Sequence, residues 1–120
     1  MEFLKNKINN YIIEFEKSAI NHFKYTQEGD WEKANFEIKK INSVYKEIKQ
    51  LGHFGRSKLL SLIFSDKAEV SSMAATYSMR FDPQKCLDVF KLLSEKNIPH
   101  ISSAATQAIE NWNSNEWYIN

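Results

Sequence analysis

The sequence predicts an all-α fold of about six helices in stacked hairpins, and three observations carry that expectation. Apolar residues recur at steps of three and four along most of the chain, the signature of helices with one buried stripe. Only three Gly and two Pro occur in 120 residues, too few for a sandwich or barrel built on many tight turns. Two segments in the second half also echo one another at an offset of thirty residues.

The first stripe runs through Leu4, Ile8, Ile12, Phe15, Ala19 and Phe23 and predicts a helix over about Glu2–Tyr25. Gly29 breaks it and Asp30 is placed to cap the next. From Trp31 a second stripe passes through Ala34, Ile38, Ile41, Tyr45 and Ile48 to Leu51, with Gly52 as the stop signal. A short turn between two long helices implies antiparallel packing. Arg56–Phe64 (RSKLLSLIF) reads as a third helix and Ala68–Met79 as a fourth. Asp82-Pro83 is a cap followed by Pro at the first helical position, where its missing N–H costs nothing; that helix extends to about Lys96, before Asn97 and Pro99. The last helix covers about Ile101–Trp112. The tail from Asn113 to Asn120 is expected to be irregular, with Trp117 and Tyr118 able to pin it.

The echo pairs Leu59, Leu60, Leu62 and Ile63 with Val89, Phe90, Leu92 and Leu93. Ala74-Ala75-Thr76 returns as Ala104-Ala105-Thr106, and Met79 as Ile109. Each unit is a bulky helix followed by one whose small Ala-Ala step permits close approach. Such a unit cannot bury its apolar face alone, so neighbours stack. The chain therefore reads as one domain over residues 1–120, with a long second helix at about 30–52 and repeat units at 56–81 and 86–112.

These features resemble the HEAT-like α-solenoid class. More narrowly, roughly residues 12–117 look like a family of short bacterial HEAT-like proteins. The resemblance is carried by GDWEKANFEIKKINSVYKEIKQLG (Gly29–Gly52), RSKLLSLIF, AATYSMRFDPQKCLDVFKLLSEKN (Ala74–Asn97) and ISSAATQAIENWNSNEW (Ile101–Trp117). Asn35, Tyr45, Asp82-Pro83 and Trp112 stand where such proteins repeat themselves. The chain departs from a typical unit at Ser71, where Arg is common, so the usual Asp–Arg ladder is missing. The resemblance implies a right-handed array. It also implies a link to bacterial toxin loci, including contact-dependent growth-inhibition systems, where some small helical proteins of this kind act as immunity proteins.

Composition bounds the function. At 42% hydrophobic and 26% charged, the chain is ordinary for a globular protein. A formal net charge of +1 advertises no nucleic-acid or membrane partner. The lone Cys86 permits neither an internal disulfide nor a thiolate-rich metal site. MEFLKNKINN lacks the apolar stretch of a signal peptide, and no apolar run approaches a membrane span. A cytoplasmic location is expected.

Catalytic constellations are weak. His22 reads as a boundary side chain, and His53 and His100 fall in interhelical loops with no ligand at metal spacing. Cys86, beside Leu87, Val89 and Phe90, reads as a small buried hydrophobe. Glu14/Glu16 and Asp30/Glu32 are two apart and point to different helix faces. No catalysis, cofactor or metal is expected.

Lys39, Asn42, Lys46 and Lys49 share one face of the second helix, with Tyr45 at its edge. Solvated surface is the default for such a stripe; an acidic partner or a phosphate backbone is the alternative. In the second half, Lys67, Arg80, Lys85, Lys91 and Lys96 face seven acids, a mixture that weakens a nucleic-acid groove. Phe15, Phe23, Trp31, Tyr45, Phe64, Tyr77, Phe90 and Trp112 are expected in the core, while Phe54, Trp117 and Tyr118 are candidate interface aromatics. The second helix of each hairpin should line a concave side. Its expected partner-binding residues are Asn35, Lys39, Asn42 and Lys46, then Ser72, Thr76 and Arg80, then Ser103, Gln107 and Glu110. The function expected is neutralisation of a cognate toxin domain by direct binding, with a basic-groove nucleic-acid binder or a scaffold as alternatives.

Overall fold

A computed structural model describes residues 2–120. It contains six α-helices: α1 (Glu2–Glu28), α2 (Trp31–Gln50), α3 (Gly52–Ser61), α4 (Ala68–Ser78), α5 (Pro83–Ser94) and α6 (Ile101–Asn113). A 3-10 turn, Leu62–Phe64, follows α3, and no strand occurs among the described residues. The chain divides into two compact units, one reaching to Leu59 and the other Leu60–Asn120.

In the first unit α1 and α2 form an antiparallel hairpin. The Tyr11 hydroxyl approaches Glu47 Oε2 (3.4 Å) toward one end, and His22 Nδ1 meets the Ala34 carbonyl oxygen (2.9 Å) toward the other. A carbonyl can only accept, so Nδ1 of His22 carries the proton. The turn between the helices is specified locally. Gly29, at φ 77°, closes α1 with paired bonds from Gly29 N–H to Thr26 and from Asp30 N–H to Tyr25, the left-handed C-terminal stop that glycine favours. Asp30 then accepts the Lys33 N–H (3.1 Å) and caps α2.

The α1 stripe is buried at Ile8, Phe15 and Ala19, whereas Leu4 is exposed. On α2 the buried set is Ala34, Glu37, Ile41, Val44, Tyr45 and Ile48. The expected stripe through Ile38 is therefore rotated: Glu37 is buried and Ile38 is only half-buried. Gly52, at φ 68°, turns the chain into α3 within one residue of α2, so the expected loop is absent and His53 lies on a helix. Gly55 is needed for another reason. A Cβ there would overlap the Ile48 carbonyl oxygen and lie 3.1 Å from Leu51 Cβ.

In the second unit α4 packs against the 3-10 turn, α5 and α6, and α5 packs along α6. The thirty-residue echo acquires a physical form here. Ser71 Oγ donates to the Ile63 carbonyl (2.7 Å), and Ser102 Oγ donates to the Leu93 carbonyl (2.7 Å). Each bond ties the first turn of a hairpin's second helix to the end of the preceding element; the acceptors Ile63 and Leu93 are echo partners, whereas the donors fall one residue out of register. Thr76 and Thr106 likewise donate to the carbonyls of Ser72 and Ser102. Ala75 and Ala105 are both fully buried, but Ala74 is buried and Ala104 is exposed. The copies diverge because α4 is enclosed by three elements, while α6 presents one side to solvent.

Two expected core aromatics are exposed, Trp31 at 61% and Phe64 at 71%. Trp31 is the first helical residue after the cap and points away from the stripe. Phe64 ends the 3-10 turn, whose three-residue period shifts it off the α-helical register.

The Ala75→Leu and Ala105→Leu variants should each overpack a crossing and cost about 1–3 kcal/mol. Ala104→Leu should stay within about 0.5 kcal/mol of the parent. Denaturant melts decide the matter, and three equal effects would show that the small residues do not set the crossings.

Candidate functional site

A groove of about 830 Å³ lies along the α1/α2 hairpin. Glu14, Lys17, Ser18, Ile20 and Asn21 form its α1 wall; Phe36, Lys39, Lys40, Ser43 and Val44 form its α2 wall. Because the helices are antiparallel, Glu14 and Val44 mark one end and Asn21 and Phe36 the other. Phe36 is 57% exposed, large for an aromatic with apolar neighbours at hand. Lys40 is fixed from two sides: its Nζ lies 3.0 Å from Glu37 Oε2 and 5.0 Å from the centroid of the Phe36 ring. Lys17 and Lys39 form no ion pair among the described residues.

Glu37 is the anomaly behind this groove. It is 4% exposed, and its second carboxylate oxygen, Oε1, has no hydrogen-bond partner. A buried carboxylate met on one oxygen only is a stability liability. Sequence reading passed over Glu37 in favour of Ile38. The signal was available: Ala34, Glu37, Ile41, Val44 and Ile48 step by three and four, so the glutamate sits on the stripe itself.

The expected partner-binding residues divide three ways. Asn35, Lys39, Asn42 and Lys46 are all exposed along α2, and Lys39 also lines the groove. Lys49 is half-buried, its Nζ 4.8 Å from the Tyr45 ring centroid. Ser103, Gln107 and Glu110 are exposed along α6, where Gln107 Nε2 donates to Asn111 Oδ1 (2.9 Å). The α4 set fails as a surface. Ser72 is 3% exposed, and Thr76 is half-buried with its hydroxyl turned back on Ser72. Packing on several sides leaves α4 no polar face. Its run of Ser and Ala with one charge, Glu69, was the sign that its serines could be enclosed.

Arg80 follows α4 and holds the C-terminal tail. Its Nε donates to the Ile119 carbonyl and its Nη2 to the Trp117 carbonyl, each at 3.1 Å. The guanidinium carbon lies 5.8 Å from the Trp112 ring centroid, and Trp117 packs edge-on against Trp112 at 6.0 Å. Trp117 is buried and Tyr118 exposed, so the tail is pinned by one aromatic of the expected pair. Arg80 is exposed, as a surface residue should be, and its guanidinium is engaged in this clamp.

Cys86 is fully buried, and desolvation, aided by the Asp82 charge, pushes its thiol up to about 12. It is a packed hydrophobe. His53 Nε2 contacts Ser57 Oγ on the next turn of α3 (3.2 Å), and His100 precedes α6 at φ 65°. Among the described residues, no group of three or more His, Cys, Asp or Glu side chains is placed to hold a metal ion, and no helix is long and apolar enough to cross a membrane. Comparison with known protein families, with curated proteins and with solved structures finds no match to this chain.

Two outcomes follow from these contacts. Glu37→Leu should leave stability unchanged or raise it in chemical denaturation, because the poorly met buried carboxylate is removed while the Lys40 left behind is half in solvent. A loss of more than about 1 kcal/mol would mean that the carboxylate is a net stabiliser. Arg80→Ala should cost about 1 kcal/mol and red-shift tryptophan fluorescence while helix content is retained. An unchanged spectrum would show that the clamp does not hold Trp117.

Proposed function

We propose that this protein is a non-catalytic binding module that neutralises a cognate bacterial toxin domain by direct contact, in the manner of an immunity protein. The reading takes the paired helices as a short HEAT-like array and places the protein in the cytoplasm. The observation that carries it is the α1/α2 surface: an open groove with a half-exposed phenylalanine beside a lysine held in place from two sides. An exposed aromatic such as Phe36 is a residue type enriched at protein interfaces, and the neighbouring lysine supplies charge that an acidic partner can meet. The buried thiol of Cys86 supports binding over nucleophilic chemistry, since its raised pKa keeps it protonated near neutral pH.

A stable inhibitory interface buries roughly 1,200–2,000 Å², more than the groove alone supplies. The exposed polar face of α2, with Asn35, Asn42 and Lys46, extends the contact. The test is co-expression with the toxin domain encoded beside the gene. The parent should protect cells and co-purify with the toxin. Lys46→Glu and Asn42→Trp, both at exposed positions, should keep the fold by circular dichroism, and at least one should weaken binding by about tenfold or more, equivalent to about 1.4 kcal/mol. A parent that neither protects nor binds ends the immunity reading.

A further inference from the structure

Resting on that reading, we propose that the α1/α2 groove receives an acidic amphipathic helix of the partner protein, seated on Phe36 with its carboxylates paired to Lys17, Lys39 and Lys40. Three observations point to this occupant. The first is shape. The α1 wall runs from Glu14 to Asn21 and the α2 wall from Phe36 to Val44, about two helical turns on each side at 1.5 Å per residue. A trough between antiparallel helices is the seat a third helix takes in a bundle.

The second is chemistry. The walls alternate apolar groups, Ile20, Phe36 and Val44, with three lysines, against the single acid Glu14 at one end. An occupant needs an apolar stripe flanked by carboxylates. A bare phosphate backbone has no use for the apolar walls and would meet Glu14.

The third is Glu37. Local rules are broken where function requires it, and this buried carboxylate fixes Lys40 at the groove. A lysine already held in one geometry loses less freedom when it binds a partner's carboxylate. Glu37 is thus a positioning residue that acts through Lys40.

A fluorescein-labelled helical peptide of roughly twenty residues, long enough to be partly helical alone, serves as the probe, with a Leu stripe and Glu on both flanks. A second peptide carries Lys in place of each Glu. Fluorescence anisotropy should show saturable binding of the acidic peptide, weakened as salt is raised, and at least tenfold weaker binding of the basic one. Lys17→Glu, Lys39→Glu and Phe36→Ala should each weaken the acidic peptide by about tenfold. Glu37→Gln, which keeps the shape, should bind it more weakly if restraint of Lys40 outweighs the negative charge removed beside the groove. Tighter binding would show that Glu37 competes for Lys40 and overturn its positioning role; Glu37→Leu repeats the measurement at unchanged or raised melting temperature. No binding of the acidic peptide, equal binding of both peptides, or insensitivity to the lysine variants overturns the proposal. So does tighter, lysine-dependent retention of a DNA duplex or of phosphatidylserine vesicles. If the peptide fails while the toxin still co-purifies with the parent, the groove assignment falls and the protein-binding reading stands. If the peptide binds as described and the toxin does not, the groove assignment stands without the immunity reading.

Discussion

The hydroxyls of Ser71 and Ser102 each reach a carbonyl at the end of the preceding element, at 2.7 Å. Neither bond survives if the segments stand one side chain farther apart. Small residues at the contacts make that spacing available: Ala75 and Ala105 are completely buried in the second unit, and Gly55 plays the corresponding part where α3 meets the end of α2. The arrangement depends on this spacing in a definite order. Close approach encloses α4 within the 3-10 turn, α5 and α6, and enclosure forces Ser71, Ser72 and Ser78 inside. Buried hydroxyls then need partners. Ser71 finds one in Ile63, whereas the Ser78 hydroxyl has none.

The same logic explains how the surface is distributed. An enclosed α4 cannot offer a polar face, so rows of exposed polar residues fall to helices with one side left open. α2 and α6 are such helices, and both carry exposed polar residues at i, i+4 and i+7: Lys39, Ser43 and Lys46 on one, Ser103, Gln107 and Glu110 on the other. Arg80 stays exposed, but its guanidinium is engaged by the tail. Its fork satisfies two carbonyls of a segment that has no helix or strand of its own, a task that a lysine, with a single charged nitrogen, performs less well.

Legibility in the sequence followed the physics closely. Helix existence and most boundaries were readable because stripes and caps are local: Asp30 and Asp82 cap α2 and α5 as their sequence context indicates. The 3-10 turn was not readable, since LIF continues the apolar run without a break and only its tighter winding turns Phe64 outward. The rotated α2 stripe was missed because an isoleucine beside a glutamate draws the eye to the apolar choice. Burial is decided by what α1 places opposite, a property no single helix displays. Surface assignments on α2 and α6 could be made from spacing alone. Those on α4 could not, because the number of neighbours that wrap a helix is a tertiary quantity.

Glu37 brings these strands together. A hairpin built only for stability would place a leucine between Ala34 and Ile41, on the stripe that already holds Val44 and Ile48. The glutamate instead leaves one oxygen unmet while its other oxygen holds Lys40 beside Phe36. The pairing does not repair the liability, because Lys40 is itself half in solvent, its side chain 46% exposed, and an ion pair reaching water gains little. What the arrangement does achieve is geometric: a cation with restricted freedom at an open groove whose neighbours Lys17 and Lys39 have the same sign. Lys17 on the α1 wall and Lys39 and Lys40 on the α2 wall carry like charge, and the buried carboxylate behind Lys40 lowers their mutual repulsion. An acidic occupant would remove the rest. The cost of holding the lysines together is therefore partly met inside the hairpin, by Glu37.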